Sequence, residues 1–171
     1  YVNEEGTDRP GRPYGGADEV YAAMYAKKPD FMLWGGDNFY YREPDYTRTG
    51  MIHRNDHARA VKSMQPLLAN VHHYAIWDDH DFGVNDGGIE NPFKQEAKDA
   101  FLEFWRVPAD DVRRRREGLY HHLTLGPAGQ RVQIILLDTR WFRAPLRITD
   151  QRGAPGRERY LPDDDPAKTM L

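Results

Sequence analysis

Asp37, Tyr40 and the run Asp78-Asp79-His80-Asp81 are the side chains of this sequence best suited to hold a cation and move a proton. The run sits inside Trp77-Asp78-Asp79-His80-Asp81-Phe82-Gly83-Val84-Asn85-Asp86-Gly87. Carboxylates packed this closely repel and desolvate badly unless something positive sits among them, and a bound metal supplies that charge. Asp79 is a candidate ligand. His80 is a ligand or a proton donor near neutral pH. Asp81 is placed to orient His80 through its other ring nitrogen, and Asn85 and Asp86 can add oxygens. An EF-hand does not fit. Counted from Asp79, Gly83 falls on a ligand position and Val84 falls where the glycine is required.

Two further clusters carry similar chemistry. In Gly35-Gly36-Asp37-Asn38-Phe39-Tyr40 the glycines let the backbone turn sharply and approach a ligand. Asp37 offers hard oxygens there, and Tyr40 can curl back as a phenolate on a ferric-like ion. The alternative is that Asp37 caps a turn and Tyr40 packs. In Asp138-Thr139-Arg140 the guanidinium suits phosphate or carboxylate recognition, and a structural Asp–Arg pair is the competing reading. Arg42, Arg48 and Arg54 are candidates to line a phosphate entrance. A serine-hydrolase elbow and a phosphate-binding glycine loop with Lys and Ser/Thr are both missing from the sequence.

The elements that must position these clusters are legible from pattern. Residues 1–16 read as loop and 17–28 as a helix, with Asp18 and Glu19 in its first turn and Lys27 and Lys28 in its last. Val20, Met24 and Tyr21 form its apolar face. Phe31-Met32-Leu33-Trp34 is a continuous apolar run, expected as a strand buried on both faces of a parallel sheet. Helices are expected over 52–62 and 66–70, with Pro66 near the start of the second. A strand follows over 71–77. A helix over 93–105 carries Ala97, Phe101 and Phe104 or Trp105 on one face. Residues 110–116 read as a charged linker. Residues 118–125 and 131–137 flank Gly126-Pro127-Ala128-Gly129 and predict a hairpin. Residues 144–165 read as loop. Three strands thus end in polar clusters, and parallel neighbours in one sheet would bring those clusters to the same edge. This alone suggests an α/β fold with its site at strand ends. Most of the scattered histidines, His53, His57, His72, His73, His121 and His122, read as surface or core residues.

The totals exclude some functions. The chain has 171 residues and a net charge of −3, which suits one domain and argues against a nucleic-acid partner bound by bulk charge. It contains no cysteine, which removes disulfides, thiolate metal sites and thiol nucleophiles. No run approaches the roughly 20 apolar residues of a transmembrane segment. The start is polar, without the apolar core of a signal peptide. Both ends look cut, so residues 1–171 are expected to be a single domain incomplete at both ends.

The motifs Trp34-Gly35-Gly36-Asp37-Asn38-Phe39-Tyr40, Ile76-Trp77-Asp78-Asp79-His80-Asp81-Phe82-Gly83-Val84-Asn85-Asp86 and Leu136-Leu137-Asp138-Thr139-Arg140 resemble the alkaline phosphatase D (PhoD-like) branch of the calcineurin-like metallophosphatases. The likeness spans roughly residues 17–143, and the middle motif is its specific part. It implies a β-sandwich flanked by helices, of α+β class, present here in part, with a metal site at the strand ends. It implies that Asp37 bridges two metals, that Tyr40 and Asp79 each bind one of them, and that His80 serves the reacting phosphoryl group. The activity implied is hydrolysis of a phosphate-ester small molecule by a hydroxide that two metals activate, with iron and calcium as the cofactors. A periplasmic or secreted location is implied in the same way. The branch's upstream Ser-Cys-type motif and its downstream histidine ligands are absent from this chain. The rival expectation is a non-catalytic fragment that binds metal or calcium.

Overall fold

The computed structural model describes residues 19–151, 154, 155, 157 and 159–171. The loop expected over 1–16, the helix start at Ala17 and Asp18 lie outside the described residues.

The first helix, α1 (Glu19–Ala26), stops two residues earlier than expected. Lys28 follows it at φ +51, a left-handed conformation that reverses the chain, so Lys27 and Lys28 lie beyond the last turn. Tyr21 is the buried anchor and packs on Trp34, whereas Val20 points outward at 42% exposure. Strand β1 (Phe31–Trp34) pairs in parallel with β2 (His72–Ala75), from Phe31 opposite His72 to Trp34 opposite Ala75. The expected parallel pairing is present. Burial on both faces is not, because Phe31 and Leu33 are 36% and 44% exposed while Trp34 faces inward against Trp105. The sheet is covered on one face, and its residues alternate accordingly.

The crossover between the strands carries α2 (Arg48–Arg59) and α3 (Gln65–Asn70), the latter with Pro66 at its start. Helix α2 begins four residues before the expected Ile52. Thr47 caps it by accepting the Gly50 N–H at 3.0 Å, and polar first-turn residues hide this start from an apolar pattern. Beyond β2 come the single turn α4 (Asp79–Phe82) and then α5 (Lys94–Phe104). Asn91 fixes the approach to α5, accepting the Phe93 N–H and donating to the Phe82 carbonyl. As expected, α5 buries Ala97, Phe101 and Phe104, and it packs against α2.

The hairpin of β3 (His121–Leu125) and β4 (Val132–Leu136) is antiparallel, as expected, with Gly126 and Gly129 at positive φ in its turn. It forms a second sheet. The expectation of one sheet that gathers all three strand ends is therefore corrected, since β4 does not pair with β1 or β2. Trp77 joins the two parts. Its ring lies parallel to Trp141 at 6.2 Å and edge-on to Phe82 and Phe101, and its Nε1 donates to Asp138 at 2.8 Å. The architecture is thus mixed helix and strand with two small sheets. The loop after β4 includes an antiparallel bridge between Ile148 and Tyr160. No described helix is long and apolar enough to cross a membrane.

The linker over 110–116 is less loose than its charge suggests. Arg113 pairs with Asp111 at 2.9 Å, Arg114 donates to the Pro108 carbonyl at 2.9 Å, and Arg116 lies over the Tyr120 ring. These contacts close the segment on itself.

His73 shows how far burial decides a histidine's state. Trp34 Nε1 donates to its Nδ1 at 3.0 Å, so that nitrogen carries no proton, and its Nε2 faces the Leu67 carbonyl at 3.1 Å. The ring is therefore the neutral Nε2–H tautomer, and burial lowers its pKa from the ordinary 6.5. A folded value below the unfolded one means a stability contribution that is complete above 6.5 and lost as pH falls through the folded value. Long-range 1H–15N spectra should show this tautomer, with the ring still neutral when the pH has fallen just below the ordinary 6.5; half-protonation at or above that value would contradict it.

Candidate metal centre

Strand β1 delivers the first part of the site. The chain leaves Trp34 through Gly36 at φ +118 and Asp37 at φ +51, two consecutive residues in conformations that fold the backbone back sharply. Gly36 lies against the start of the second loop so closely that a Cβ there would sit 2.4 Å from the Asp78 Cβ. Strand β2 delivers that second loop. Ile76 continues the ladder to Trp34, and α4 then ends at Gly83 at φ +123.

Asp81 ties the two loops together. It is fully buried, and its carboxylate accepts the backbone N–H groups of Asn38 at 2.8 Å, Phe39 at 2.9 Å and Asp78 at 3.0 Å. Burial pushes its pKa up to about 7, assisted by the Asp37 charge and opposed by those N–H groups. The expectation that Asp81 orients the His80 ring is corrected: both of its oxygens are committed to the main chain.

With the loops pinned, Asp37, Asp79 and His80 each bring one ligand atom within 4.8 Å of the others. Asp79 is 7% exposed. Its Oδ2 accepts the Asp86 N–H at 2.7 Å and its Oδ1 the His80 N–H at 3.0 Å. Burial raises its pKa, but the Asp86 N–H, His80 and Arg140 outweigh burial and hold the group below the ordinary carboxylate value. Asp37 accepts the Tyr40 hydroxyl on Oδ2 at 2.9 Å, while its Oδ1 is shut from solvent without a hydrogen-bond partner among the described residues. Tyr40 also stacks on the His80 ring at 4.1 Å. A buried carboxylate oxygen without a donor, beside a second carboxylate and an imidazole, is what a cation would satisfy. The donors fit a divalent ion that accepts both hard oxygens and a nitrogen.

The third cluster reaches the site from the other sheet, in a different role. Arg140 Nε and Nη2 both contact Asp78 Oδ1 at 2.5 Å, and its Nη1 is shut from solvent. The guanidinium expected to bind substrate is thus engaged in neutralising Asp78. Nor does Asp138 pair with that guanidinium. It accepts Trp77 Nε1 and the backbone N–H groups of Leu119, Arg140 and Trp141, an anchor for the strand end. Arg48 and Arg54, expected near a phosphate entrance, pair with Glu103 and Asp45, and Arg42 gives its backbone N–H to the same Asp45 carboxylate.

Asn85 and Asp86 are turned toward each other rather than into the group, Asn85 Nδ2 donating to Asp86 Oδ2 at 2.7 Å. Two residues that sequence reasoning missed hold this corner. The buried Arg143 donates to the Asp86 and Gly87 carbonyls, and the Tyr160 hydroxyl donates to Asp86 Oδ2. Neither lies in a recognisable motif. The only advance signal was an arginine three residues past Arg140.

No family model, curated protein or solved structure matches this chain.

Proposed function

We propose that the chain carries the metal centre of a phosphate-ester hydrolase. One observation carries the reading: ligand atoms of Asp37, Asp79 and His80 lie within 4.8 Å of one another, with a solvent-shut Asp37 oxygen that has no donor among the described residues. The motif resemblance to PhoD-like phosphatases supplies the reaction class. A divalent cation held there supplies Lewis acidity to a phosphoryl oxygen and lowers the pKa of water. Asp37 and Asp79 hold it, and Asp79 stays ionised to do so. Tyr40 sets the Asp37 carboxylate from one side through its hydroxyl and the His80 ring from the other by stacking. Arg140 cancels the Asp78 charge, so the extra carboxylate does not compete for the cation. We place His80 among the holding residues. In the two-metal arrangement of iron and calcium that the resemblance implies, it serves the phosphoryl group instead, and the metal content of His80→Ala separates the two roles.

A second reading, a metal-binding unit without catalysis, draws on Arg140: its guanidinium is committed to Asp78 and its remaining nitrogen is closed to an anion. Hydrolysis of bis(p-nitrophenyl) phosphate by the 171-residue chain with Fe, Ca, Mn or Zn decides between them. Turnover is expected, with Asp79→Asn reducing both it and metal affinity by about a hundredfold or more, above the usual loss for an outer-shell partner. Metal binding without turnover favours the second reading. Neither binding nor turnover overturns both.

A further inference from the structure

Resting on the metal-centre reading above, we infer that Tyr160 and Asp86 form a positioning relay that sets the Asp79 carboxylate from the loop that follows β4. The relay begins at Asp79 itself. Its shortest hydrogen bond comes from the Asp86 backbone N–H at 2.7 Å. Asp86 presents that N–H from a left-handed backbone, φ +56, which a non-glycine residue keeps only when its surroundings hold it there.

Those surroundings are specific. The Asp86 carboxylate accepts the Tyr160 hydroxyl at 2.5 Å, from 74 residues further along the chain, and the Asn85 amide at 2.7 Å. Arg143, 5% exposed, donates to the Asp86 and Gly87 carbonyls. Tyr160 is itself fixed by its bridge to Ile148, by the Leu161 N–H on the Arg147 carbonyl at 2.8 Å, and by the Thr149 N–H on the Arg159 carbonyl at 3.1 Å. The order of contacts is therefore bridge, Tyr160 hydroxyl, Asp86 carboxylate, Asp86 N–H, Asp79 carboxylate. Outer partners of a ligating carboxylate fix which lone pair faces the ion, and losing one costs 10–100-fold in affinity by general experience. Tyr160 is a positioning residue here. It acts on the Asp37, Asp79 and His80 group through Asp86.

The test is titration of the 171-residue chain with Co2+ alone, read by its d–d absorption, with thermal melting of the metal-free protein alongside. Tyr160→Phe removes one oxygen and keeps the ring. It is expected to weaken Co2+ binding about tenfold and to alter the band shape, with the metal-free melting temperature nearly unchanged. Asp86→Asn retains the backbone N–H and an acceptor for Tyr160, so it should bind close to wild type, whereas Asp86→Ala should weaken binding as Tyr160→Phe does. Lys168→Ala breaks an ion pair with Asp163 elsewhere in the same tail and should leave binding unchanged. Wild-type binding with an equal Kd and spectrum for Tyr160→Phe overturns the relay alone. A wild-type chain that binds no Co2+ overturns the metal centre and the relay together. An equal loss in Lys168→Ala reduces Tyr160 to general docking of the tail and also overturns the relay.

Discussion

Gly36→Ala should melt about 10 °C below the wild-type chain and weaken its metal affinity, while Gly35→Ala should be almost indistinguishable from wild type. The two glycines are adjacent and look equivalent in the sequence. Gly35 has nothing within 4 Å of where a Cβ would stand. Gly36 combines φ +118 with a Cβ position 2.4 Å from the Asp78 Cβ and 2.8 Å from the Asp78 backbone nitrogen. The backbone conformation costs a side chain about 1–3 kcal/mol. Overpacking against main chain costs about as much again. A chain of this size loses about 2–4 °C per kcal/mol, which sets the scale of the shift. The strain falls where the loops of β1 and β2 touch, so relief by movement separates Asp37 from Asp79. Differential scanning calorimetry and a metal titration on both variants check this. Equal melting of the two alanine variants would show that the contact yields easily.

Asp81→Ala should destabilise the chain by about 3 kcal/mol or more. Three backbone donors, on the buried Phe39 and the half-buried Asn38 and Asp78, lose their acceptor together, and each donor left unsatisfied away from water costs about 1–3 kcal/mol. Asp81→Asn keeps an oxygen for two of these N–H groups and turns an amide donor toward the third, so its loss should be intermediate. Truncation of the exposed Asp110 sets the baseline for a carboxylate without such work. Urea unfolding of the three variants gives the order. An Asp81→Ala cost no greater than that of Asp110→Ala would falsify the stapling role. The same variant should weaken metal binding although Asp81 lies outside the ligand group, because the staple sets the distance between the two loops.

Much of this was legible in advance wherever the signal was local. The run Phe31 to Trp34, the period of α5 and the Gly/Pro turn between β3 and β4 each specify an element within a dozen residues, and all three formed. Asp37 and Asp79 meet because β1 and β2 pair in parallel, an arrangement that apolar strands ending in acids anticipate. What stayed hidden depended on partners far along the chain. Arg140 had two acids within reach, and nothing in its own segment favoured Asp78, 62 residues away, over Asp138. Asp81 resembled its acidic neighbours and differed only in being enclosed by the β1 loop. Tyr160 stood in a polar stretch without periodicity, so its bond to Asp86 had no counterpart in pattern.

The parallel pairing of β1 and β2 also bears on the order of events in folding. The two loops that carry Asp37 and Asp79 meet only after the chain has closed across α2 and α3, and such non-local closure is slow because loop entropy is lost before contacts repay it. A cation that needs both loops finds no complete partner before that closure. Binding would therefore act on escape from the native state rather than on arrival at it: the unfolding rate falls with cation concentration while the refolding rate hardly changes. On this view the proposed centre would contribute to persistence kinetically, lengthening the lifetime of a structure that the main-chain staple has already assembled.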